Sequence, residues 1–331
     1  MSADDTPVPL RILLSEPARA AYAGDIANVL QDRPHGFVAP AAGADADIAF
    51  VTRDVTGKST KHEVFPGTQR FYDTMLAAPS LRWVQLHSAG ADRPIFPLLR
   101  ARGIALTSAS GANASVVAQG VLAGLLALSR HLPQLMEAQR ERRWAPLIHS
   151  GMPRDLEGQT VVIVGWGPIG RQVAAVLTLL GLRIVVVRSS AAPAAPGTET
   201  VAFEDIARVL PQADWLVLAC PLTDRTRQLL GAEALALLPA GAQVVNVARG
   251  EIVDEEALVA ALRSGRLAGA YLDVFAHEPL AAASPLWTLP NVIATPHCAG
   301  HSDGNNGRVV KVFLDNLARF NTGQPLRNQV D

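Results

Sequence analysis

The apolar positions of this chain fall into short blocks, and their spacing predicts the elements. Apolar-rich runs at 10–14, 47–51, 83–86, 104–107, 161–164, 183–187, 215–219, 243–247, 270–274 and 292–294 read as strands, and the four consecutive aliphatics Val161 to Val164 suit a strand covered on both faces. Between them, apolar residues at helical spacing predict helices at 18–30, 69–78, 95–102, 113–132, 204–210, 232–238, 254–264 and 309–320. Strands alternating with helices imply parallel βαβ units. The helix at 113–132 is read as crossing from a first α/β part into a second, and the helix at 309–320 as packing back on the first. The charge run at 137–143 reads as a solvated helix face, Trp144 as a residue that closes a pocket or packs between subunits, and 191–197 as a surface loop.

One stretch organises the rest. Val161 to Val164 is followed at once by Gly165-Trp166-Gly167-Pro168-Ile169-Gly170, and the helical run after it closes at Gly181. Pro168 stands where a missing N–H is tolerated, at a helix start, and Gly181 suits a helix end. Strand, glycine turn and helix together form the context that the dinucleotide fingerprint requires. Gly165 permits the tight turn, Gly167 lets the backbone approach a pyrophosphate, and Gly170 lets helix and strand lie close. The helix N-terminus presents free N–H groups to the phosphates.

Composition narrows the setting. The chain has 331 residues, enough for two domains, and 49% of them are hydrophobic. Its net charge of −1 argues against a nucleic-acid partner. The apolar stretch at 116–128 is interrupted by Gln119, Gly120 and Gly124, so no membrane helix is expected. The stretch 1–5 shows no basic or apolar leader pattern. Two cysteines, Cys220 and Cys298, give no disulfide framework, and a cytoplasmic location is expected. No metal is expected.

In open α/β sheets ligands bind beyond the carboxyl ends of the strands. Arg249 follows the strand at 243–247, Glu278 follows 270–274, and His297 follows 292–294. Reduction of a 2-oxo acid needs a hydride, a proton donor and an anchor for a carboxylate. Arg249 has a planar fork that binds a carboxylate bidentately. His297 titrates near neutrality and can protonate a developing alkoxide. Glu278, if it meets the other ring nitrogen, favours the imidazolium.

The ordered motifs 162–170, 213–226, 245–254, 270–280 and 295–300 resemble those of the D-isomer-specific 2-hydroxyacid dehydrogenase family. The resemblance covers the dinucleotide domain firmly and the N-terminal part loosely. It implies an α/β fold of two Rossmann-like or flavodoxin-like domains with doubly wound parallel sheets. The dinucleotide domain (111–300) would be inserted in a substrate domain (1–110 plus 301–331). It also implies Arg249, Glu278 and His297 as the catalytic set, with Arg249 and His297 on the substrate. Backbone N–H groups of Ala89 and Gly90, in the 88–92 loop, would hold the substrate carboxylate. Asp273 would help place the nicotinamide carboxamide. The cofactor set would further include Ile169, Cys220, Pro221, Thr226, Val247, Ala248, Arg249, His297, Ala299 and Gly300 beside the glycine loop and Pro168. A homodimer is implied. Gln119-Gly120 departs from the Glu-His pair that many members carry. Cys298 reads as a small buried residue, with a redox-sensitive thiol as the alternative.

NAD-binding folds place an acidic residue near the end of the second strand to bond the ribose 2′-OH. Here that position reads Arg188-Ser189-Ser190, which suits a 2′-phosphate. NADP(H) is therefore the expected cofactor. The other reading, in which Arg188 stacks on adenine and NAD(H) binds, stays open. The arginine also points, by resemblance, toward glyoxylate/hydroxypyruvate reductases. The expected activity is reduction of small 2-oxo acids to D-2-hydroxy acids. A formate- or phosphite-type dehydrogenase and a nucleotide-sensing corepressor-like protein remain the alternatives.

Overall fold

The computed structural model describes residues 8–149 and 151–330, so the leader reading at 1–5 lies outside the described residues. The chain divides into two units, one made of residues up to Ala112 together with those from Asp303 onward, the other of Asn113–Ser302. In chain order the first unit begins with β1 (Leu10–Leu13), α1 (Glu16–Leu30), β2 (His35–Val38), β3 (Ile48–Val51) and α2 (Arg53–Thr56). It continues with α3 (Pro66–Ala77), β4 (Trp83–Leu86), α4 (Ile95–Ala101) and β5 (Ala105–Thr107). Its strands pair in the order β2-β1-β3-β4-β5, all parallel.

The second unit holds α5 (Ala114–Ser129), α6 (Leu132–Arg140), β6 (Thr160–Val164), α7 (Pro168–Leu179), β7 (Arg183–Arg188) and β8 (Glu199–Ala202). After these come β9 (Trp215–Leu218), α8 (Ala232–Leu237), β10 (Gln243–Asn246), α9 (Glu255–Arg263), β11 (Gly269–Leu272) and β12 (Val292–Ala294). The sheet runs β12-β11-β10-β9-β6-β7-β8, again all parallel. Numbered from β6, this is the doubly wound dinucleotide order extended by one strand, with its switch point between β6 and β9. The last helix, α10 (Asn305–Asn321), returns to the first unit, where Phe313 stacks on Phe50 at 4.3 Å.

The aliphatic run of β6 is explained by its two-sided burial. Val162 and Val164 pack into one core layer, Val161 and Ile163 into the layer on the other face, and all four are fully buried. Burial on both faces is what removes the polar alternation from a strand.

Three expectations need correction. The helix expected at 113–132 is α5, which ends at Ser129, and a further helix, α6, follows it at a bend of 70°. His131 adopts a left-handed conformation at the break, and Pro133 cannot continue the hydrogen-bond ladder. Because α5 lies wholly in the second unit, the chain passes between units at residues 112–113, ahead of that helix. The helix expected at 204–210 is a 3-10 segment, Phe203–Arg208, followed by another at Leu210–Gln212 that carries Pro211. Strands β2 and β8 were not foreseen. Both are edge strands with half-exposed residues, and neither carries an unbroken aliphatic run. Among the described residues no single helix is long and apolar enough to cross a membrane.

Candidate active site

The glycine turn after β6 leaves room where a dinucleotide needs it. Gly165 has φ +109°, and a β-carbon there would come within 2.6 Å of Ala219 O at the end of β9. A β-carbon at Gly170 would overlap Gly165 O, so only glycine lets α7 start this close to the strand. Gly167, by contrast, has nothing near its missing β-carbon. It caps α7, with Pro168 and Ile169 opening the helix and Gly170 buried behind them. Open backbone before a twelve-residue helix N-terminus fits a pyrophosphate. At the far end Gly181, with φ +81°, closes the helix: its N–H donates to Thr178 O.

Arg188 ends β7 half-buried, and Ser189 and Ser190 follow it in the open. Beside them lie two residues that the sequence did not mark, Arg225 and Glu204. Arg225 donates to Ser189 O at 3.0 Å and grips Glu204 at 2.8 and 2.9 Å. At the end of β9, Cys220 is buried, and burial pushes its thiol up to about 12. Pro221 O accepts the Thr226 hydroxyl at 2.7 Å, and that hydroxyl also accepts from Thr223 N–H at 2.8 Å. Thr226 is fully buried, so its side chain shapes this loop from inside.

The loops after β10, β11 and β12 interlock. Val247 and Ala248 are buried, and Asn246 fixes the turn: its Oδ1 accepts Ala248 N–H and its Nδ2 donates to Arg249 O, both at 3.0 Å. Arg249 is half-buried, and its Nη1 donates to Ala248 O at 2.7 Å. A β-carbon at Gly250 would overlap the Phe275 backbone. Glycine there lets the segment carrying Glu278 lie against the segment carrying Arg249. Glu255, at the start of α9, accepts Ala276 N–H at 2.9 Å and ties the two segments again.

Asp273 holds the third loop. It is 2% exposed, and its Oδ1 accepts the Thr295 hydroxyl at 2.6 Å and Cys298 N–H at 2.8 Å. Its Oδ2 accepts Ala299 N–H at 2.9 Å, and its backbone O accepts His297 N–H at 2.8 Å. His297 sits at φ +49°, in the left-handed region, and this turn aims its ring at Glu278. The next layer is α5. A β-carbon at Gly124 would overlap the Tyr271 ring, one at Gly120 would come within 3.3 Å of Ala299, and one at Gly300 would overlap Asn113. The Gln119-Gly120 departure thus gives α5 its close approach to the His297 loop.

His297 Nδ1 lies 2.7 Å from Glu278 Oε2. Burial alone would raise the Glu278 pKa. The bond and charge of His297, the Phe275 N–H at 3.2 Å and the charge of Arg249 outweigh burial and hold the carboxyl below its ordinary value. An ionised carboxylate only accepts hydrogen bonds, so Nδ1 is the protonated nitrogen of the ring and Nε2 is the one left for other work. Cys298 is only partly buried, not the buried residue expected, and its thiol is pushed up by desolvation and by Asp273, which disfavours the reactive thiolate. The structure thus brings Arg249, Asp273, Glu278 and His297 together on one sheet edge with the glycine loop.

Ala89 and Gly90 belong to the first unit, in the loop after β4. Ser88 Oγ donates to Gly90 O at 2.7 Å and sets this turn. His87, just before it, bonds the Thr56 hydroxyl at 2.9 Å. Burial, with the charges of Arg53 and Arg93, lowers His87 to about 4.

Known proteins resemble this chain over most of its length. Residues 122–299 match the family model described as D-isomer specific 2-hydroxyacid dehydrogenase, NAD binding domain. A glyoxylate reductase of Korarchaeum cryptofilum is 34% identical over 260 residues, covering 77% of each chain. An (S)-sulfolactate dehydrogenase of Chromohalobacter salexigens is 36% identical over 246 residues, 73% of this chain and 78% of that one. A D-isomer specific 2-hydroxyacid dehydrogenase from Xanthobacter autotrophicus, solved with NADPH and MES, superposes with a TM-score of 0.75 at 30% identity over 98% of both chains. The chain accordingly belongs to the D-isomer-specific 2-hydroxyacid dehydrogenase family and is an NAD(P)-dependent oxidoreductase.

Proposed function

We propose that the chain reduces small 2-oxo acids of the glyoxylate, hydroxypyruvate or pyruvate type to D-2-hydroxy acids, with NADP(H) preferred over NAD(H). The observation that carries this reading is the 2.7 Å contact of His297 Nδ1 with Glu278, on loops locked to that of Arg249. The reduced cofactor, when bound by the glycine loop, supplies the hydride. His297 does the proton work: Nδ1–H is committed to Glu278, so Nε2 delivers the proton to the carbonyl oxygen as it becomes a hydroxyl. Glu278 stabilises the imidazolium that carries this proton. Arg249 holds the substrate carboxylate through its fork. Oxidation of the hydroxy acid returns the proton to the same nitrogen.

Several observations support the finer parts. The glyoxylate reductase relative supports the acid class, and the NADPH of the Xanthobacter autotrophicus structure supports the cofactor. Arg188, Ser189 and Ser190 stand where an NAD site would place a carboxylate. A homodimer is also proposed, because Met136, Trp144, Ile148 and Met152 are exposed apolar side chains close together in the sequence after α5. A cytoplasmic setting fits the two free thiols.

The test separates proton transfer from binding. In His297→Ala, kcat for glyoxylate is expected to fall by about 10²–10⁴-fold, with the NADPH Kd near wild type. Unchanged turnover would remove His297 from the mechanism.

A further inference from the structure

The β7–β8 register places an unforeseen carboxylate at the ribose edge. Arg188 pairs with Ala202, so Ser189 and Ser190 leave the sheet at the same edge as Phe203 and Glu204. Arg225, from the loop after β9, reaches all of them. Its Nη2 donates to Ser189 O at 3.0 Å, and its Nε and Nη2 fork onto Glu204 Oε1 and Oε2 at 2.8 and 2.9 Å. Its guanidinium lies 5.5 Å from the centre of the Phe203 ring. Glu204 is held below its ordinary value by its own backbone N–H first and by Arg225 next, so it is ionised at neutral pH.

A carboxylate beside the second strand's end is what an NAD site uses for the ribose hydroxyls, and it repels a 2′-phosphate. Here that carboxylate is present but occupied. We propose that Arg225 is a specificity-determining residue: by engaging Glu204 and the Ser189 carbonyl together, it masks the carboxylate and sets the Arg188–Ser190 turn to accept a 2′-phosphate. Local charge makes the sign clear. Arg188 and Arg225 against Glu204 leave one net positive charge, whereas loss of Arg225 would leave none. Arg225 therefore acts on cofactor choice through Glu204 and the turn. This rests on the NADP(H) reading above.

The test measures binding rather than turnover. NADP⁺, NAD⁺ and adenosine 2′,5′-bisphosphate are titrated calorimetrically into the full chain. Wild type should bind NADP⁺ more tightly than NAD⁺. Arg225→Ala should raise Kd for NADP⁺ and for the bisphosphate by about tenfold while NAD⁺ changes by less than about twofold. The double variant Arg225→Ala/Glu204→Gln should recover most of the NADP⁺ affinity, because the unmasked charge is gone. Raised salt should narrow the difference between the single variant and wild type. Equal losses for NADP⁺ and NAD⁺ would make Arg225 a structural residue and overturn the proposal, and a double variant no better than the single one would overturn the masking. Wild type with no preference for NADP⁺ would bring down the cofactor reading and this proposal with it. A preference that Arg225→Ala leaves undiminished would sink this proposal alone.

Discussion

At one end of the seven-stranded sheet, the loops after β10, β11 and β12 are interlocked around the buried Asp273 and Gly250, and the exposed His297 ring is held by the mostly buried Glu278. Asp273 takes three side-chain-accepted bonds from the His297 loop, and Gly250 and Glu255 fasten the Glu278 segment to the Arg249 segment. At the other end, after β7 and β8, Ser189, Ser190 and Glu204 lie open, and the Arg225 and Glu204 side chains are 48% and 61% exposed. Buried groups with fixed partners keep one geometry and lose much when a partner is removed. Exposed charges are screened and tune affinity by small steps. The same sheet edge thus presents a rigid end suited to proton transfer and an adjustable end suited to cofactor choice.

This contrast can be broken from either side. The largest effect is expected at the rigid end: Arg249→Ala should raise KM for a 2-oxo acid by about 10–100-fold with a smaller change in kcat, read from steady-state kinetics. A kcat loss with unchanged KM would move Arg249 from anchoring to chemistry. Next, Gly250→Ala should cost about 1–3 kcal/mol in denaturant unfolding, because the added carbon meets the Phe275 backbone rather than a movable side chain. A neutral Gly250→Ala would show that the two segments are not locked together. At the adjustable end, Arg188→Asp should weaken NADPH by about tenfold and NADH by less. Equal loss of both would contradict the phosphate assignment.

The smallest effect concerns pH. Glu278 is ionised below its ordinary value of 4.5 in the folded chain. A depressed carboxyl contributes stability that is fully present above the unfolded value and is lost as pH falls through the folded one. The carboxylate's share of the stability difference between wild type and Glu278→Gln should therefore close as the solution is acidified below 4.5. A difference that widened on acidification would contradict the sign.

Much of the rigid end was legible in the sequence, because Arg249, Glu278 and His297 each lie a few residues beyond an apolar-rich run that reads as a strand. The glycine loop was legible for the same reason. What escaped was set by packing between distant positions. Gly250 meets Phe275 and Gly124 meets Tyr271, and neither pair has a spacing signature. Two of the four edge strands, β2 and β8, escaped too, since their half-exposed residues need not be aliphatic, whereas the edge strands β5 and β12 were read. Without β8, Glu204 read as part of a helix, and its place beside Ser189 could not be seen. The split of α5 from α6 turns on a left-handed His131, a conformation that histidine adopts without announcing it.

The most direct measurement follows oxidation of NADPH and NADH, in parallel, by the wild-type chain with glyoxylate, hydroxypyruvate, pyruvate and a bulky 2-oxo acid. The account expects rapid NADPH-dependent reduction of the small acids, slower turnover with NADH, and the bulky acid behind both. Binding of both cofactors without turnover of any acid would contradict it.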